Sequence, residues 1–216
     1  MRSLEPALRQ GVAELSLDLT DGQITQLLDY LALIQKWTKV YNLTAVRDPM
    51  EMLTHHLLDS LAIIVPLRRQ LASVQHAPKL LDVGSGAGLP GVVIAICCPE
   101  IQVDCVDTVA KKAAFIRQVA ATLLLKNLQG LHARVESLVD KYDVVSSRAF
   151  ASLPDFTRWS SAALAEEGVW LAMKGKYPAD EVAALPASVA VFHVEQLRVP
   201  SLVADRCILW LRKSGV

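Results

Sequence analysis

The sequence predicts an α/β fold: a doubly wound, mostly parallel seven-stranded sheet with an N-terminal helical extension and a C-terminal antiparallel hairpin. Three observations predict it. From Lys79 onward, short apolar runs alternate with helical patterns, as strands buried on both faces and linked by crossover helices do. The first run, KLLDV, leads directly into the glycine-rich turn GSGAGLPG. The last two runs have only a short loop between them, so they pair as a hairpin.

Residues 1–76 read as helices. Thr20 and Gln23 make a capping box, after which Ile24, Leu27, Leu28, Leu31, Ile34 and Trp37 recur at helical spacing. Asp48, Pro49 and Glu51 supply an N-cap, a proline at the first helical position and an acid two residues later. The helix that follows carries Met52, Leu53, His56, Leu57 and Ser60, and Pro66 is expected to end or kink it. Strands are expected at 79–83, 101–107, 130–135, 142–147, 169–174, 189–199 and 206–213. Helices are expected at 89–97, 109–126, 152–165 and 178–185. The rhythm changes between 76 and 77, which divides the chain into the extension, 1–76, packed on a sheet domain, 77–216.

A chain of 216 residues, 52% hydrophobic, suits one sizeable domain with an appendage. No apolar run reaches the roughly 20 residues of a membrane span, and MRSLEPALRQ lacks the apolar core of a secretory signal. Cys97, Cys98, Cys105 and Cys207 form no C-x-x-C spacing, and adjacent Cys97 and Cys98 do not suit a disulfide. They read as reduced, buried thiols of a cytoplasmic protein with no metal and no membrane partner. A net charge of +0 argues against a strongly basic nucleic-acid binder and leaves room for a local patch. Lys111, Lys112, Arg117, Lys126 and Arg134 lie in an acid-free run from Val109 to Val135, and Lys174 and Lys176 flank a glycine. Taken alone, these are better read as solvated helix and loop charges.

The glycine turn fits two templates. Gly84, Gly86 and Gly88 make G-x-G-x-G, common where S-adenosylmethionine binds, and Gly86, Gly88 and Gly91 make the dinucleotide fingerprint G-x-G-x-x-G. Either way, the turn brings backbone N–H groups and a helix N-terminus toward an anionic group. Asp107 ends the second strand, about 20 residues on, where an acid accepts ribose hydroxyls and repels a 2′-phosphate. Both adenosine-containing cofactors carry that ribose. The hairpin stands where an oxidoreductase would be expected to continue into a substrate domain, and the extra helices lie upstream. That outline is the Rossmann-like sheet of a seven-stranded methyltransferase. An NAD-dependent oxidoreductase and a non-catalytic nucleotide-binding regulator are the competing readings.

LLDVGSGAGLPG, VSSRAFASLPDF (145–156), MKGK (173–176), WTKVYNLT (37–44) and HHLLDS (55–60) together resemble the bacterial rRNA small subunit methyltransferase G family, also called glucose-inhibited division protein B. The resemblance runs in order along nearly the whole chain. It implies methyl transfer from S-adenosylmethionine to N7 of a guanine in 16S rRNA, on the rRNA, the 30S subunit or an assembly intermediate, in the cytoplasm. It makes 77–216 the S-adenosylmethionine-dependent methyltransferase domain. By matching motifs it assigns Gly84, Leu89, Val135, Glu136 and Arg148 to the cofactor. Gly86 and Asp107 join them on the physical grounds above. CCPE replaces more usual aliphatic residues at the end of the first crossover helix, away from the loop.

The mouth of the fourth strand reads Ser146-Ser147-Arg148-Ala149-Phe150. It lacks the N/D-P-P-Y/F turn used on exocyclic amines and the cysteine used on pyrimidine C5. N7 of guanine needs neither, because its lone pair lies in plane and no proton must leave, so alignment suffices. Phe150 is a candidate to stack on the base, or is a core aromatic below the site. Arg148 and Lys174 are candidate donors to guanine O6, and Arg148 alternatively meets the cofactor carboxylate. Arg47, Lys111, Lys112, Arg117, Lys174 and Lys176 are candidate RNA contacts. Asn42 and His56 are possible contacts of RNA or of the cofactor pocket. Adjacent His55 and His56 point to different helix faces and do not suit one metal.

Overall fold

The computed structural model describes residues 1–215. Its centre is a seven-stranded sheet of order β3-β2-β1-β4-β5-β7-β6. β1 (Lys79–Val83), β2 (Gln102–Asp107), β3 (Leu128–His132), β4 (Tyr142–Arg148) and β5 (Leu164–Lys174) run parallel. β7 (Cys207–Lys213) pairs antiparallel with both β5 and β6 (Val189–Gln196). The strand order reverses between β1 and β4, and ligands of open α/β sheets bind at such a switch point.

Alternate strand residues feed two cores, as a period of two requires. Leu80, Val103, Val144 and Leu171 join one, with α2 (Asp21–Tyr41), α5 (Ile64–Leu71), α6 (Gly91–Cys97) and α7 (Ala110–Thr122). Leu81, Val106, Val145 and Trp170 join the other, with α8 (Leu153–Ser160) and with Val182 of the short α9 (Ala179–Ala183) and Leu185 just after it. α1 (Glu5–Glu14) packs outside α2, and its Leu8 is fully buried in the first core.

The caps fall where the sequence puts them. Thr20 accepts from Gln23 N–H while the Gln23 side chain accepts from Thr20 N–H. Asp48 accepts from the N–H groups of Met50 and Glu51 at the start of α3 (Pro49–Met52). α3 continues through a π-helical stretch, Leu53–Leu58, into α4 (Asp59–Leu61). Such a stretch often marks a functional site.

Some boundaries differ from expectation. Pro66 does not end a helix. The turn comes earlier, at 62–63, and Pro66 lies in the first turn of α5, where a missing N–H leaves no intrahelical bond unmade. β3 starts at Leu128 and ends at His132. Gly130 therefore sits mid-strand, where an added Cβ would lie 2.5 Å from the Ala113 carbonyl of α7. It is a packing glycine and does not mark a strand start. β5 starts at Leu164, paired with Tyr142, five residues before the expected strand. α8 accordingly stops at Ser160.

Candidate active site

Two cavities open at the switch point, of about 550 and 510 Å³, and share Gly84 and Ala149. Their sizes lie within the usual range for small-molecule sites. Gly84 and Gly86 build the junction. Both adopt positive φ, +64° and +59°, which a side chain would resist. A Cβ on Gly84 would also lie 2.2 Å from Phe150, whereas one on Gly86 would meet only the Gly84 carbonyl, at 4.0 Å. Gly91 has another role: a Cβ there would lie 2.3 Å from Cys105 Sγ, so this glycine lets α6 pack on the sheet. The fingerprint spacing at 86, 88 and 91 is thus divided between loop and packing.

The larger cavity is lined by Val83, Val106, Asp107, Val109, Lys112, Val135, Glu136, Phe150 and Trp159, among others. Asp107 is buried to 7% exposure. Its carboxylate accepts from Gly86 N–H at 3.1 Å and Val109 N–H at 2.9 Å, with Lys112 Nζ 3.4 Å away. Two carboxylate oxygens offer about four lone-pair sites, so capacity remains for a ligand hydroxyl. Val135 and Glu136 begin a short 3₁₀ turn after β3, with Val135 buried and Glu136 exposed at the rim. An acid beside an apolar, aromatic-walled slot fits an adenosine, with the purine against the walls and the ribose at Asp107.

The smaller cavity is lined by Thr44, His55, His56, Asp59, Gly86, Leu89, Arg148, Lys174 and Arg206, among others. Asp59 is its buried centre. Oδ2 accepts from Arg148 at 2.9 Å and Oδ1 accepts from Arg206 at 2.8 Å. Two guanidiniums on one carboxylate leave one unit of positive charge, which suits the carboxylate of a methionine moiety or a phosphate. His56 Nε2 lies 2.9 Å from Thr44 Oγ1, which also accepts from Val46 N–H. Burial, then the neighbouring Arg148, push the His56 imidazole down to about 4, so it is neutral at ordinary pH. The loop is held from below by Tyr30 of α2, whose buried hydroxyl donates to the Ala87 carbonyl at 2.7 Å.

The remaining expected residues fall as follows. Phe150 does not face the second cavity. It lines the first, edge-on to Trp159 at 5.9 Å between centroids, because the absent Cβ of Gly84 opens that space. Stacking on a target base therefore does not fit its position, and a wall against the adenine does. Arg148 is not a surface charge, since its guanidinium spans Asp59 and the His55 carbonyl. Lys174 lines the second cavity but pairs with Glu181 at 2.8 Å. Arg117 donates to the Gly130 carbonyl, and Arg47 donates to Asn42 Oδ1 and the Thr38 carbonyl. Lys111 and Lys176 are exposed. Sequence reasoning missed Asp59, Arg206, Thr44 and Tyr30. The NLT and HHLLDS motifs were the available signal, since they carry Thr44, His56 and Asp59.

Comparison with known proteins gives the family and the fold. A family model described as GidB, rRNA small subunit methyltransferase G, matches residues 23–209. The chain is 73% identical over 224 residues to a Ribosomal RNA small subunit methyltransferase G of Albidiferax ferrireducens, with 100% of each chain covered. Among solved structures it is similar in fold to TrmN from Thermus thermophilus, with a TM-score of 0.56 and 20% identity over 74% of this chain and 53% of that one. It is also similar in fold to a SAM-dependent methyltransferase from Aquifex aeolicus, with a TM-score of 0.54 and 14% identity over 76% of this chain and 98% of that one.

Proposed function

We infer the reaction from one premise: the chain belongs to the rRNA small subunit methyltransferase G family. It is an S-adenosylmethionine-dependent rRNA methyltransferase. The finer reading is that the acceptor is N7 of a guanine in 16S rRNA, within the 30S subunit or an assembly intermediate, and that the enzyme works in the cytoplasm beside that substrate.

The bound cofactor supplies an electrophilic methyl group, which a ring nitrogen with an in-plane lone pair accepts without losing a proton. The observation that carries the N7 reading is the state of the buried ionisable groups in the second cavity. Asp59 is held by two arginines, and the His56 imidazole is pushed down to about 4. The Asp59 oxygens are taken up by the two guanidiniums, and the His56 imidazole is a base poorly matched to neutral pH. The chain's work is then positioning. Asp107 and Glu136 would hold the ribose and the adenine end, with Val135 and Phe150 as walls. Gly84, Gly86 and Leu89 would hold the loop against the cofactor. Arg148, anchored by Asp59, would face its carboxylate or a nucleotide phosphate. Residues 1–76 act as an extension that roofs the catalytic domain, 77–216, a reading supported by Tyr30 and by Thr44 and His56 at the cavity. No helix among the described residues is long and apolar enough to cross a membrane.

The test is transfer of labelled methyl to naked 16S rRNA and to 30S subunits lacking the modification. Borohydride and aniline, which cleave at N7-methylguanine, follow. Label at one cleavable guanine is expected. Label that survives cleavage, on an amine or a pyrimidine, would overturn the N7 assignment.

A further inference from the structure

The C-terminal end of α2 carries an exposed aromatic surface that the cofactor site does not use. Tyr41, the last residue of the helix, is 42% exposed, and Val40 beside it is 70% exposed. Asn42 follows in a left-handed conformation and ends the helix there. The Tyr41 ring is backed by an aromatic column. It lies 5.1 Å from Trp37, which lies 5.2 Å from buried Phe115 of α7. Such backing leaves little rotamer freedom to lose on contact with a ligand. One cation lies over it and a second is tied to the next residue. Lys111 Nζ lies 5.9 Å from the ring centroid, near the outer limit of a cation–π contact. Arg47 caps the carbonyl end of α2 through Thr38 and Asn42.

The position matters as much as the chemistry. Leu43 and Thr44, just after Tyr41, line the second cavity, and Lys112, just after Lys111, lines the first. The ring thus stands, along the chain and through Lys111, next to residues that line each cavity. A rigid aromatic face with flanking cations is what binds unpaired nucleotides: the face stacks on a base and the cations meet phosphates. We propose that Tyr41 is a stacking platform for an unpaired base of the substrate RNA next to the methylated nucleotide, with Lys111 and Arg47 on the adjoining phosphates. This rests on the rRNA methyltransferase reading and adds the surface that grips the strand. Lys111, lying loosely over the ring, would yield its place to the base and turn to the backbone.

The test uses the full-length chain with Tyr41→Ala, Tyr41→Leu and Tyr41→Trp. Tyr41→Leu keeps an apolar side chain against Trp37 but has no π-face. The readouts are affinity for a fluorescein-labelled single-stranded RNA, KM for under-methylated 30S subunits, and affinity for S-adenosylhomocysteine. Tyr41→Ala and Tyr41→Leu are expected to weaken RNA binding roughly ten-fold and to raise KM similarly, with Tyr41→Trp within about two-fold of wild type. Affinity for S-adenosylhomocysteine is expected to stay unchanged. Wild-type RNA affinity in Tyr41→Leu overturns the proposal, even if turnover on 30S subunits falls, for the face would then meet a protein. Equal losses of RNA and S-adenosylhomocysteine affinity overturn it too, as the mark of a merely structural ring. If the unsubstituted enzyme methylated no rRNA, the underlying reading itself would fail.

Discussion

At the scale of single residues, two buried groups oppose each other in their pH response. Asp82 sits beneath the loop, accepting from Gly91 N–H and from the Ser146 hydroxyl. Burial pushes its carboxyl up to about 7, against those hydrogen bonds. The stability it contributes is therefore complete below the ordinary carboxylate range and is lost as pH rises toward 7. His56, pushed down to about 4 by burial and by Arg148, contributes stability that is complete above about 6.5 and is lost as pH falls toward 4. The two slopes offset each other over one window. In thermal unfolding from about pH 4.5 to 7.5, Asp82→Asn is expected to gain on wild type as pH rises, and His56→Gln as pH falls. Variant curves parallel to wild type would refute both assignments. Residue roles were legible where one short motif holds all the parts. The places of Gly86 and Asp107 at the turn follow from the strand–turn–helix spacing, and the structure joins them by a hydrogen bond. The grip of Arg148 and Arg206 on Asp59 was not legible, because those partners lie 89 and 147 residues away.

At the scale of elements, α2 ties the N-terminal helices to the glycine loop. Tyr30 donates to Ala87 of the loop, Gln23 to the Ile96 carbonyl at the end of α6, and Gln26 to the Leu123 carbonyl at the end of α7. One helix thus holds carbonyls at three places around the sheet: the loop and the ends of α6 and α7. Tyr30→Phe removes the only hydroxyl reaching the loop from α2 among the described residues, inside a buried contact. It is expected to cost about 1–3 kcal/mol of stability. Affinity for S-adenosylhomocysteine, measured by calorimetry, is expected to fall several-fold because the loop is no longer braced. Unchanged affinity with a lowered Tm would make the contact purely structural. Helical periodicity showed α2 and its apolar stripe, yet said nothing of Tyr30, whose hydroxyl matters only once the loop lies against it. Element ends drifted for a related reason. Gly130 reads locally as the start of a strand, and only the close approach of α7 shows that a glycine is needed in its middle.

At the scale of the molecule, a chain of net charge +0 binds a polyanion only if its cations are unevenly committed. They are. Lys174 is neutralised by Glu181, Lys112 faces Asp107, and Arg148 and Arg206 share Asp59. Among the candidate RNA contacts, Lys111, Arg47 and Lys176 have no ion-pair partner among the described residues; Lys111 lies over the Tyr41 ring, and Arg47 bonds Asn42, the next residue in the chain. The sequence showed the basic run but not which of its members were spent, since pairing depends on side chains brought together from distant strands and helices. The consequence is measurable. Each phosphate contact on a single strand contributes about 0.7 to the slope of log affinity against log salt. Lys111→Gln and Arg47→Gln are each expected to lower that slope by about this amount. Lys174→Gln is expected to leave it unchanged while freeing Glu181 and lowering Tm. If Lys174→Gln instead flattened the salt dependence and Lys111→Gln did not, the RNA path would run over the MKGK loop and away from the end of α2. A carboxylate already paired in the free enzyme would then have to release its lysine on binding. That exchange would lower affinity without lowering charge, and a second substitution, Glu181→Gln, would restore it.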